Sequence, residues 1–117
     1  MEFTVEFYET QDGRCPVREF LDALKTSDPG DFAAVVAGLA KLRDRQNHRA
    51  PLSKALGGGL LELRHVGRLN TRILWFFQRG CRIVAVHGIR NKGHAIAARD
   101  LATARARMTD WIERQAA

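Results

Sequence analysis

The chain opens on an alternating run. Across residues 2–8 (EFTVEFY), Phe3, Val5 and Phe7 alternate with Glu2, Thr4, Glu6 and Tyr8, the period-2 signature of a half-buried strand. Gln11-Asp12-Gly13 then reads as a turn. The period changes at Pro16, which suits a first helical position. Val17, Phe20, Leu21 and Leu24 follow at i, i+3, i+4 and i+7, predicting a short amphipathic helix from Pro16 to about Thr26. Asp28-Pro29-Gly30-Asp31 starts a second helix: Asp28 caps it, Pro29 fits its first turn, and Asp31 puts negative charge at the positive end of the dipole. Phe32, Val35, Val36, Leu39 and Leu42 form its buried stripe, and the pattern runs on to near Asn47. The two helices should form an antiparallel or bent hairpin.

Ala50 to Gly59 reads as a loop, with Pro51 and Gly57-Gly58-Gly59 as breakers. No Gly-Lys-Ser/Thr follows the glycines and a strand comes next, so they are a flexible or close-packed approach to the sheet rather than a phosphate-binding loop. Leu60–Val66, Thr71–Gln78 and Cys81–Gly88 are rich in β-branched and aromatic residues and read as strands. The last two are apolar on both sides, which places them centrally, with both faces covered or the sheet heavily curved. Residues 98 to about 114 form a last helix with Leu101, Ala104, Met108, Trp111 and Ile112 as its stripe. The order is β-α-α-β-β-β-α in a single domain, 1–117. The fold class is α+β, a curved, mostly antiparallel sheet packed by an N-terminal helical hairpin and a C-terminal helix.

Arg79-Gly80 fits a two-residue hairpin loop. Pairing would then set Phe76 opposite Ile83, Leu74 opposite Ala85 and Arg72 opposite His87, with Arg90 and Lys92 leaving the same end of the sheet. Arg64 joins that group if the Gly67–Asn70 turn sets the register accordingly.

Charge sharpens the picture. The net charge is +6, unevenly spread: residues 1–31 hold eight acids and three bases, and residues 32–117 hold five acids and sixteen bases. One acidic and one strongly basic face are expected. From Leu56 to Lys92 the only acid is Glu62, against Arg64, Arg68, Arg72, Arg79, Arg82, Arg90 and Lys92. A small sheet carrying this many guanidinium groups suits a polyanion, RNA first. Cationic side chains converging on one edge would repel one another unless an anion sat between them.

Other chemistries find no support. Cys15 and Cys81 are too few for a disulfide framework or a zinc site and read as reduced, semi-buried thiols. There is no His-Glu-x-x-His, no Gly-x-Ser-x-Gly and no carboxylate pair for metal-dependent nuclease work. No cofactor is expected. No apolar run approaches a membrane span, and no basic-then-apolar leader is visible after Met1, so the cytoplasm is the expected location.

Three strand motifs carry a resemblance. Leu61-x-Leu63-Arg64, then Arg72-Ile73-Leu74-x-Phe76-Phe77 and a turn with Gly80, then Ile83-Val84-x-Val86-His87-Gly88 resemble the phage-derived Gp49-like branch of the RelE/HigB toxins. Asp100-Leu101-x-x-Ala104-x-x-Arg107 resembles that branch's last helix. The likeness spans nearly the whole chain and lies in order and spacing. Two places depart from it. The family's aromatic-x-Lys-Lys-Thr loop is Ile89-Arg90-Asn91-Lys92-Gly93 here, and its Thr-Pro before the last helix is Ile96-Ala97. Leu60 and Glu62 also stand where RelE proper carries lysines.

The resemblance implies a RelE-like fold and a type II toxin–antitoxin toxin: a small endoribonuclease that cleaves mRNA on the translating ribosome. Its partners would be mRNA, ribosomal RNA and a cognate antitoxin, often a helix-turn-helix protein encoded alongside. Such cleavage uses the ribose 2′-OH as nucleophile without a metal, and leaves a cyclic phosphate and a 5′-OH end. Arg72 is the candidate for holding the scissile phosphate, with Arg90 and Lys92 adding positive charge. His87 and His94 are the candidate proton carriers. Arg64, Arg68, Lys41, Arg43, Arg45, Arg49 and Lys54 are candidate RNA contacts. Two alternatives stay open: a non-catalytic basic RNA-binding module on the same fold, and a protein whose basic surface mainly receives an acidic partner segment.

Overall fold

The structure is a computed structural model that describes residues 2–93 and 95–116. Its elements run β1 (Thr4–Phe7), α1 (Pro16–Ser27), α2 (Pro29–Lys41), a 3-10 turn (Arg45–Asn47), β2 (Ser53–Gly57), β3 (Leu60–Val66), β4 (Asn70–Gln78), β5 (Arg82–Asn91) and α3 (Ala98–Ala116). The five strands form one sheet in the order β1-β5-β4-β3-β2. β1 runs parallel to β5 and every other pair is antiparallel.

Why the central strands are apolar on both sides is now plain. β4 and β5 lie inside the sheet with helices on both faces. On one face Val17, Leu21 and Leu24 of α1 and Val35 and Leu39 of α2 pack with Leu42 against Leu63, Ile73, Trp75, Ile83 and Ala85. On the other, Leu101, Ala104, Met108 and Trp111 of α3 pack with Leu60, Leu74, Phe76, Val84, Val86 and Ile89. Each such buried aliphatic or aromatic side chain contributes on the order of 1.5–3 kcal/mol. Val36 and Ile112, assigned to the buried stripes, are instead about two-fifths exposed, at 41% and 43%. The Asp28 carboxylate caps α2 by accepting from the Asp31 N–H at 3.2 Å.

Four local expectations change. The stretch expected as a loop contains β2, which pairs Ser53 with Leu63, Lys54 with Glu62 and Ala55 with Leu61. Gly58 and Gly59 turn that hairpin with φ of 62° and 86°, a conformation that a side chain at both positions would resist. The second helix stops at Lys41, and the basic segment after it holds the 3-10 turn. The β4–β5 loop has three residues rather than two, because Cys81 also adopts a left-handed conformation, φ 58°, and Gln78 therefore pairs with Arg82.

The last change concerns register. A bulge follows Trp75↔Ala85, after which Leu74 pairs with His87 and Arg72 with Ile89. The longer loop and the bulge each slip the pairing by one residue. Two slips restore the face, so Arg72 and His87 still share it, as diagonal neighbours rather than a directly opposed pair.

Candidate functional site

On the α3 face, β3 and β4 set Arg64 directly opposite Arg72, and β2 sets Lys54 opposite Glu62. Residues opposite one another have Cβ atoms ~5 Å apart, so four charged side chains occupy one small patch of sheet. Above them runs a groove of about 260 Å³, lined by Lys54, Leu56, Glu62, Arg64, Ala95, Ile96 and Leu101. Lys54 and Arg64 are exposed on its rim, while Glu62 and Arg72 are buried, at 4% and 0% exposure.

The buried pair explains how Arg72 is tolerated in the sheet. Its Nε lies 3.2 Å from Glu62 Oε2, and its Nη1 donates to Asn91 Oδ1 at 3.1 Å. Neither Nε nor Oε2 has hydrogen-bond alignment in that ion pair. Asn91 holds the next loop in turn, reaching Ala95 O at 3.5 Å, and Asn70 donates to Gly93 O at 2.8 Å. Asn91 is the residue that replaces a lysine of the family's loop. A protonated lysine has no lone pair to offer, so the departure adds the Asn91 Oδ1 acceptor that Arg72 Nη1 uses.

Arg90 lies on the opposite face. Its Nη2 donates to Asp28 Oδ2 at 2.6 Å and to Asp31 Oδ2 at 2.9 Å, tying β5 to the start of α2. His65 Nε2 meets Asp31 Oδ1 at 3.2 Å on the same face. The Asp31 backbone N–H, and then Arg90, hold the Asp28 carboxyl below the usual carboxylate range.

His87 is on the α3 face but turned away from the groove. Its Nε2 is 2.9 Å from Asp100 Oδ1 and its Nδ1 is 3.0 Å from Arg107 Nη1. Because Arg107 only donates, Nδ1 must accept and Nε2–H donates to Asp100, so both ring nitrogens are occupied. Arg107 also donates to Val86 O at 2.9 Å, at the bulge.

Convergence of bare cations on one edge is therefore not what the fold builds. Arg72, Arg90 and His87 each meet a carboxylate supplied by Glu62, by Asp28 and Asp31, and by Asp100. The expected split into an acidic and a basic face is blurred for the same reason, since Glu6 of the acidic segment also pairs with Arg82 at 2.5 Å. Lys92 is exposed just past β5, Arg68 is exposed in the β3–β4 turn, and His94 lies outside the described residues. Lys41, Arg43, Arg45 and Arg49 are exposed at the end of α2 and around the 3-10 turn, away from the groove.

Sequence reasoning missed Glu62 and Asn91 as members of the site. Glu62 had a visible signal: it is the lone acid between Leu56 and Lys92, in strand alternation with Leu60 and Arg64. Asn91 had none beyond its departure from the family's lysine.

No curated protein matches the chain. The family described as Phage derived protein Gp49-like (DUF891) matches residues 19–109, a span that includes most of α1, all of α2, all the groove residues and most of α3. The chain thus belongs to the phage-derived Gp49-like family, a RelE/ParE-like toxin branch.

Proposed function

We propose that this protein is the toxin of a type II toxin–antitoxin system, an endoribonuclease that cuts mRNA on the translating ribosome. Family membership suggests a toxin-like function and an antitoxin partner. The observation that carries the nuclease reading is the Arg64–Arg72 cross-strand pair under an open groove rimmed by Lys54. Two arginines directly opposite one another on one face of the sheet favour a bound phosphate, and a guanidinium fixed beforehand by Glu62 and Asn91 needs little reorganisation when charge develops on the phosphorane.

In this scheme Arg64 and Lys54 grip the RNA backbone and Arg72 faces the scissile phosphate from the groove floor. Lys92 adds charge at the mouth. The ribose 2′-OH attacks without a metal, giving a cyclic phosphate and a 5′-OH end. Arg68, Lys41, Arg45 and Arg49 contact ribosomal RNA. His87 and Arg90 act as clamps that fix β5 to α3 and α2. The antitoxin is a helix-turn-helix protein encoded alongside, and toxin and target meet in the cytoplasm. The burial of Arg72 favours the competing reading, a basic RNA-binding module without catalysis.

Induction in a bacterial host separates them. The wild-type chain should arrest incorporation of labelled amino acids. The exposed triple variant Lys54→Ala/Arg64→Ala/Lys92→Ala should restore it at equal soluble levels. No arrest by the wild type, or equal arrest by the variant, would contradict the proposal.

A further inference from the structure

Metal-free cleavage needs a proton acceptor beside the phosphate, and neither histidine candidate is shown to supply one. Both ring nitrogens of His87 are occupied, and His94 lies outside the described residues. Among the described residues lining the groove, Lys54 and Arg64 are cations, Leu56, Ala95, Ile96 and Leu101 are apolar, and Glu62 alone carries a carboxylate. We infer that Glu62 is the general base of the nuclease, a reading that rests on the endoribonuclease proposal.

Position supports the assignment. In cleavage by the 2′-OH, the attacking oxygen and the phosphorus end as bonded neighbours, so the base must sit next to the phosphate-binding group. Glu62 Oε2 is 3.2 Å from Arg72 Nε, and Arg64 stands two residues further along the same strand. The Glu62 side chain keeps only 5% of its surface exposed, yet it lines the groove, and Oε2 has no aligned hydrogen bond to satisfy it. A carboxylate that lines the groove while its Oε2 is held against the Arg72 guanidinium lies next to both the substrate path and the phosphate-binding group.

The step balances as follows. The Glu62 carboxylate takes the 2′-OH proton while the 2′-oxygen bonds to phosphorus. The P–O5′ bond breaks, and the departing 5′-oxygen takes a proton from water. The products are a 2′,3′-cyclic phosphate, a 5′-OH and a protonated Glu62, which then returns its proton to solvent.

The test compares the full chain with Glu62→Gln and Glu62→Asp in a cell-free translation reaction, scoring mRNA cuts and, separately, co-sedimentation with ribosomes. Removing a general base costs a factor of about 10²–10⁴. Glu62→Gln should therefore cut at least a hundredfold more slowly while still sedimenting with ribosomes, and its melting temperature should fall because Arg72 loses its charged partner. Glu62→Asp, with its carboxylate drawn back, should fall between the two. Should the Gln variant not fold, the Asp variant decides: a rate unchanged from wild type overturns the inference, and a loss of tenfold or more with binding intact supports it. If the wild type cuts and Glu62→Gln cuts equally well while Arg64→Ala does not, Glu62 is not the base although the nuclease reading stands. If the wild type leaves mRNA intact, the nuclease reading fails and this inference fails with it.

Discussion

Arg72 and Glu62 occupy a setting in which charge is expensive. Each is almost wholly buried, and the pair survives because each partner offsets the other's desolvation. Truncating one partner therefore strands the other. Arg72→Ala should lower unfolding free energy by about 3–5 kcal/mol, read from denaturant midpoints. Replacing both partners with apolar residues, as in Glu62→Leu/Arg72→Met, should recover most of that loss while abolishing activity. If Arg72→Ala melts like wild type, the ion pair is not buried as described. The same logic makes Arg72→Ala a poor probe of catalysis, and Arg64→Ala, exposed on the rim, the better one.

Element by element, what the sequence made legible follows from how local each signal was. The helices were read from stripes and caps contained in a dozen residues, such as Asp28 over α2. β4 and β5 were read from unbroken apolar runs. β2 was not, because Ser53-Lys54-Ala55-Leu56-Gly57 has no apolar run of its own and becomes a strand by pairing with β3. The bulge at Val86 was equally hidden, since only the partner strand reveals two residues facing one. The site suffered most from this: the Arg64–Arg72 pairing depended on a register that the turn left open, whereas the partners of His87 and Arg90 come from other elements, α3 and the start of α2. One close approach gives a prediction at this scale. A Cβ at Gly88 would lie 2.4 Å from the Phe20 ring, where α1 seats on β5. Gly88→Ala should cost about 1–3 kcal/mol in denaturant unfolding, and Gly88→Ala/Phe20→Leu should regain part of it. A neutral Gly88→Ala would mean that α1 does not sit this tightly.

For the whole molecule, electrostatics sets both stability and partner choice. Several carboxylates are held below their usual range: Glu6 by the Arg82 hydrogen bond, Asp28 by the Asp31 N–H and Arg90, and Asp110 by the Tyr8 hydroxyl and Arg114. A carboxylate whose folded pKa is depressed adds stability above its unfolded value, near 4. That contribution is lost as pH falls through the lower folded value. Melting temperature should hold level from pH 7 to about 5 and drop steadily below about 4, and a profile flat to pH 2 would contradict the pairing. Among the described residues no helix is long and apolar enough to cross a membrane. The exposed surface cations should make the association constant for single-stranded RNA fall by about 0.7 log units per phosphate contact for each tenfold rise in salt. Arg64→Ala should reduce that slope by roughly one contact, and an unchanged slope would remove Arg64 from the RNA interface.

The central claim is that the groove over Arg64 and Arg72 cuts RNA in the presence of ribosomes, and mapping new 5′ ends on an mRNA in a cell-free translation reaction tests it most directly. The wild-type chain should create discrete 5′-OH ends that disappear without ribosomes and with folded Arg64→Ala. Intact mRNA from folded wild-type protein, or cuts that persist undiminished in Arg64→Ala, would contradict it.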